Sequence, residues 1–220
     1  MNKIKASYAI ESEINGMELL KQIEKVGRTC YKSEGNITED SATKFVAGLI
    51  SRGHEAMIEH NSISVRFICD RGVSHELVRH RVASFGQEST RYCNYSNDKF
   101  SNEINVIGIL EGIKLDTKMN KLSAAIISEI ILEWSMAMED AERHYLRMIG
   151  LGATAQIARD VLPNSLKTEI VVTMNLREWR HFFKLRTPIS AHPQMRELTI
   201  PLLAEFKTLI PIVFDDIKVD

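Results

Sequence analysis

The sequence predicts an α+β fold: a central mixed or antiparallel sheet flanked by helices, with a long amphipathic helix and a helical annex. Three observations predict it. Two segments, SISVRFIC and KTEIVVTMN, alternate apolar and polar residues with the period of two that marks a half-buried strand. Between and around them lie several runs with helical spacing. One of these, from about Thr117 to Ile149, repeats apolar residues every three or four positions.

In chain order, MELLKQIEKVGRTCY reads as a first helix and TEDSATKFVAGLISRG as a second, with Thr38 as its cap and Gly53 as its stop. SISVRFIC follows, with Ile63, Val65, Phe67 and Cys69 on one face. GVSHELVRHR reads as a short helix running on through Arg81, and a loop follows around Ser84 to Gly86. In the long helix Ile127, Ile131, Trp134, Met138, Ala141, Tyr145 and Met148 form one stripe. Such a helix would reach nearly 50 Å at about 1.5 Å per residue, more than one compact core requires, so part of it is available for a subunit interface. GATAQIARDVLP is a short helix stopped by Pro163, KTEIVVTMN is the second strand, REWRHFFKLR is helical as far as Thr187, and HPQMRELTIPLLAEFKTLI closes the chain as a helix with a break expected at Pro201. No linker, repeat or low-complexity tract divides residues 1–220, which predicts one domain.

Composition narrows the chemistry. The 28 basic residues balance 29 acidic ones, so the surface as a whole is not built to grip nucleic acid. Cys30, Cys69 and Cys93 are odd in number and far apart, which suggests reduced thiols and neither a disulfide framework nor a zinc cage. No apolar run matches a signal peptide or a membrane span, and the expectation is a cytoplasmic protein. His54, Glu55 and His60 do not have the spacing of a zinc-binding helix, because the second histidine lies about 120° from the first.

The charge is nevertheless unevenly placed. Between Phe45 and Asp98 there are six arginines (Arg52, Arg66, Arg71, Arg79, Arg81, Arg91) and no lysine, although the chain carries fourteen of each. Arginine is favoured over lysine where a planar fork must hold phosphate or carboxylate, or stack on a ring. The bland alternative is a set of solvated ion pairs with Asp70, Glu76 and Glu88.

Arg79-His80-Arg81, seven residues, then Ser89, Thr90 and Arg91-Tyr92 resembles the signature of the flavin-dependent thymidylate synthases. GHEAMIEH (Gly53 to His60), ARDVLP, NLREW and FKLRTPISAHPQMRE resemble further segments of that family, so the likeness spans about residues 28 to 206. It implies methylation of 2′-deoxyuridine 5′-monophosphate (dUMP) to thymidylate, with methylenetetrahydrofolate giving the carbon and FAD, reduced by NADPH, giving the hydride. It also implies a homotetramer with active sites shared between subunits. By position, Glu76, Arg79, Gln87, Ser89, Arg91, Arg159 and Arg186 would hold the nucleotide. His54, Arg79, His80, Arg81, Gln87, Asn175, Arg177 and His181 would hold FAD. Arg186 would be the catalytic cation, and no metal is implied. Glu76 departs from the family's usual glutamine, Ala56 from a hydroxyl residue and Gln156 from an acid; residues 94–117 have no clear counterpart.

The residues alone leave other readings open. Ser89 as a nucleophile would need an adjacent base, and none is signalled; Cys93 has no supporting motif as a thiolate. An RNA-binding module using the arginines with Tyr92 and Tyr95 is an alternative, as is a structural oligomer built on the long helix. Trp179, Phe182 and Phe183 are expected in the core.

Overall fold

The computed structural model describes residues 1–219, the side chain of Asp98 excepted. Two nine-residue strands form its centre. β3 (Ser62–Asp70) and β6 (Lys167–Asn175) pair antiparallel along their whole length, from Ser62↔Asn175 to Asp70↔Lys167. Their alternation has the predicted consequence: Ile63, Val65, Phe67 and Cys69 are buried together with Thr168, Ile170, Val172 and Met174 on the same face. β2 (Ser7–Ile10) and β4 (Ser84–Gln87) add the edges, giving the antiparallel order β2-β3-β6-β4. A separate parallel pair joins β1 (Asn2–Ile4) to β5 (Asn105–Ile107). The loop expected around Ser84 is therefore a strand, whose four residues are too few to display a period but pair with Ile170 to Thr173.

Helices cover the buried face. α1 (Gly16–Thr29) lies against α2 (Ser41–Ser51), and the contact is so close that a Cβ at Gly27 would stand 2.6 Å from the Phe45 ring. Thr38 does not cap α2. The Ser41 hydroxyl takes the Thr38 N–H at 2.9 Å and closes that turn, so the helix begins after Asp40, which makes no side-chain cap bond. Gly53 ends the segment as expected, with φ +70°.

α3 (Arg71–Leu77) is shorter than the sequence suggests. Arg79, His80 and Arg81 lie in the turn beyond it, outside the helix. α7 (Leu176–Arg186) and α8 (Pro193–Leu209) complete the main core. α8 runs through Pro201 unbroken; the lost N–H bond is outweighed by burial of Leu198, Thr199, Leu202 and Leu203 around it. Trp179, Phe182, Phe183, Phe206 and Phe214 pack ring against ring at 5.2–5.8 Å, a cluster that fixes α7 rigidly.

A second, smaller core forms the annex. The segment between α4 (Leu110–Leu115) and the long α5 contains only a 3-10 turn, so α5 spans Ala124–Gly150, about 40 Å, and not Thr117 onward. Met138 and Tyr145 of α5 pack with Tyr95, Ile104, Val106, Leu166 and Ala158 of the short helix α6 (Ala155–Ala158). Residues 124–133 belong to neither core.

Candidate active site

The β3–α3 and β6–α7 junctions place the polar groups. Each helix starts directly from its strand and is capped by the strand's last side chain. Asp70 Oδ1 accepts from Val73 N–H at 2.6 Å and Asn175 Oδ1 accepts from Glu178 N–H at 2.8 Å. The two strands are antiparallel, so the helices start at opposite ends of the sheet, and the far end of α7 comes to α3.

At that meeting point stands Arg186. Its Nη1 donates to Glu76 Oε2 at 2.7 Å, its Nη2 to the Glu76 carbonyl at 3.2 Å, and its Nε to His80 Nε2 at 3.1 Å. His80 Nδ1 lies 3.2 Å from Glu178 Oε1. Burial, with the Arg186 cation acting the same way, holds the imidazole below the ordinary histidine value, against the pull of Glu178. The ligand atoms of His80, Glu178 and His181 lie within 4.8 Å of one another, but both His80 nitrogens are already engaged.

On one side opens a cleft of about 500 Å³ lined by Glu55, Glu59, Val82, Asn175, Arg177, Glu178, His181 and Lys184. Arg177, His181 and Lys184 follow one another at spacings of four and three, so one stripe of α7 faces it. Arg177 pairs with Glu59, and the buried Arg180 donates to Glu55 at 3.0 Å and to Asp216 at 2.6 and 2.8 Å, tying this wall to the C-terminal turn. The cleft's lining sets Asn175, Arg177, His181 and Lys184 against Glu55, Glu59 and Glu178, beside the exposed Val82.

On another side a second cleft of about 280 Å³ is lined by Arg71, His75, Thr90, Arg159, Asp160 and neighbouring residues. Two arginines and a histidine against one acid suit a phosphate. Arg159 Nη1 lies 3.5 Å from Thr90 Oγ1. Arg71 and His75, four apart on α3, were not among the expected site residues; that spacing was the available signal.

The remaining expected residues are distributed as follows. Arg79 and Arg81 are exposed and make no ion pair among the described residues. His54 is exposed beside Glu55, at the start of a 3-10 turn. Gln87 turns inward, donating to Ser74 and Thr168 hydroxyls at 3.0 and 3.1 Å. Ser89 Oγ accepts from Arg91 N–H at 3.3 Å, and Arg91 Nε donates to Gln156 at 3.2 Å. The six arginines of the middle segment share no single cavity: Arg66 is paired with Glu11 and Glu169 on the sheet's outer face, and Arg52 lies over Gly48 on α2. Cys69 is buried, which pushes its thiol up, Cys93 is half-buried and Cys30 exposed; all three are free.

The family described as Thymidylate synthase complementing protein matches residues 14–212. A flavin-dependent thymidylate synthase of Geobacter sulfurreducens is 33% identical over 196 residues, covering 86% of this chain and 78% of that protein. One from Mycobacterium tuberculosis is 33% identical over 203 residues, covering 90% and 79%. The crystal structure of a UMP/dUMP methylase, PolB, from Streptomyces cacaoi bound with 5-Br dUMP superposes with a TM-score of 0.80 at 21% identity, over 98% of this chain and 96% of that one, a likeness of fold. The chain belongs to the thymidylate synthase complementing protein family.

Proposed function

We propose that this protein methylates dUMP to thymidylate, with methylenetetrahydrofolate as carbon donor and NADPH as the source of electrons through FAD. The observation that carries the assignment to these residues is the placing of Arg186. It is a permanent cation, its side chain 19% exposed, held by Glu76 and by His80, whose partner Glu178 lines the 500 Å³ cleft, while His75, next to Glu76, lines the smaller cationic one.

Bound FAD supplies the hydride. The protein's part is placement and fixed charge. Arg177 and His181, one turn apart, with the amide nitrogen of Asn175, would offer donors to the flavin, and the exposed His54, Arg79 and Arg81 would flank it; Gln87, its amide spent on Ser74 and Thr168, and His80, buried with both nitrogens engaged, would act from behind this shell. Arg159, Ser89, Arg91 and Arg79 hold the nucleotide, with Arg71 and His75 adding charge at the second cleft. Arg186, next to Glu76, favours the polarised, electron-rich uracil that attacks the one-carbon unit.

The whole chain acts as one domain in the cytoplasm and assembles as a homotetramer whose sites are shared. Two features support assembly. Residues 124–133 of α5 lie outside both cores and expose apolar side chains, Ile126 at 45% and Leu132 at 57%. Arg79 and Arg81 make no ion pair among the described residues, as they would if they served a ligand lying between protomers.

The test is a purified protein with a yellow flavin spectrum that bleaches with NADPH and recovers as thymidylate forms from dUMP and methylenetetrahydrofolate. A colourless protein that binds single-stranded RNA with steep salt dependence would replace this reading with the RNA-binding one.

A further inference from the structure

Arg186 is useful only in a fixed direction, and two side chains fix it. Glu76 holds the guanidinium end through Nη1 and Nη2, and His80 holds the Nε side at 3.1 Å. An arginine Nε always carries its hydrogen. His80 Nε2 must therefore accept, and the ring's single proton lies on Nδ1, 3.2 Å from the Glu178 carboxylate. The ring has no freedom to turn away, being 4% exposed and packed edge-on against Phe182 with centroids 5.0 Å apart.

We propose that His80 is a positioning residue: held by Glu178 as the neutral Nδ1–H tautomer, it fixes the direction of Arg186 through Nε2, while Glu76 fixes the other end. The proposal rests on the reading that Arg186 serves the nucleotide. Glu178 also lines the 500 Å³ cleft, so an unbroken polar line runs from that cleft to Arg186 and on to Glu76.

The charged groups facing the ring set its pH behaviour. From α7 these are Glu178, His181 and Arg186, and from α3 Glu76 lies behind Arg186. Protonating the ring would put an N–H on Nε2 against the Arg186 N–H, two donors head to head, and would release the guanidinium. Turnover should therefore fall on the acid side as His80 gains its proton, below the ordinary histidine value.

Spectra of the full-length protein with ¹⁵N-labelled histidine should place the His80 proton on Nδ1 at pH 7. An Nε2–H tautomer or an imidazolium would overturn the proposal, whatever reaction the protein catalyses. His80→Gln keeps an acceptor for Arg186 and a donor for Glu178 but cannot ionise, whereas His80→Leu keeps only the volume. The Gln variant should hold turnover within about threefold at neutral pH and lose the acid limb, while Leu should lose about 10²-fold in kcat with nucleotide KM and flavin Kd little changed. Wild-type turnover in His80→Leu, or a Gln variant as slow as Leu, would overturn it; should Leu fail to fold, the ¹⁵N spectrum and the Gln variant decide. Absence of dUMP turnover in the unsubstituted protein would instead strike the functional reading and leave the tautomer to be settled by the spectrum.

Discussion

The two strand–helix units at the centre of the molecule begin alike and end differently. β3 and β6 each supply nine residues, and each hands its last side chain to the following helix as a cap. α7 then buries Leu176, Trp179, Arg180, Phe182 and Phe183, whereas α3 buries only Val73, Ser74 and Leu77 before it ends. The difference divides the labour. α7 is a rigid wall anchored in the aromatic core, with its opposite stripe free for ligand, and α3 is a short carrier that brings Glu76 and the His80 turn to the end of that wall.

Breaking the wall should cost most. Trp179→Ala removes the side chain at the middle of the aromatic cluster and the 3.0 Å bond from its Nε1 to the Ile63 carbonyl, and should destabilise by about 3–5 kcal/mol in urea unfolding. A loss under about 1 kcal/mol would show that α7 is not anchored there.

The neighbourhood of α3 offers a pH test. Burial, and then the carboxylates of Glu111 and Asp70, raise Glu197 from 4.5 to about 7. Folding therefore retains a proton that the unfolded chain has released, so stability is present below 4.5 and declines as pH rises through 7. Glu197→Gln, which stays neutral, should remove that slope and be more stable at pH 8 by about 2–3 kcal/mol. His80 acts with the opposite sign, since its lowered value makes the fold lose stability as pH falls below about 6.5. Unfolding curves from pH 4.5 to 8 with and without the Gln substitution separate the two.

The paired caps sharpen the contrast further. Asp70→Ala and Asn175→Ala should each cost about 1–2 kcal/mol, but only the Asn175 variant should weaken flavin binding in a fluorescence titration. Equal weakening in both would mean the units are not functionally divided. Ser89→Ala should have the smallest effect, keeping measurable activity, because its hydroxyl accepts only from Arg91 N–H and no base bonds it among the described residues. Complete loss with nucleotide binding intact would make Ser89 a nucleophile.

The strands and helices that were legible are those long enough to show a period: β3 and β6 at two, α7 and the inner half of α5 at three to four. β1, β2, β4 and β5 contain three or four residues each and owe their existence to partners far along the chain, such as Asn105 for Asn2. The end of α3 was overrun because no glycine or proline marks it: the chain leaves the helix through tight turns in which Arg79 N–H bonds the Glu76 carbonyl and His80 N–H the Leu77 carbonyl. The candidate residues were found by likeness to a family, but their partnership was not visible. Nothing in the sequence couples Glu76 to Arg186 across 110 positions, or shows that Gln87 spends its amide on Ser74 and Thr168.

The direct trial is Arg186→Lys, assayed for bound flavin and for tritium release from 5-³H-dUMP with methylenetetrahydrofolate and NADPH. Lysine keeps a charge but not the fork that Glu76 and His80 hold, so the variant should stay yellow and lose turnover by about 10²-fold or more, near 3 kcal/mol in the barrier. Turnover equal to the unsubstituted protein would contradict the role given to this cation.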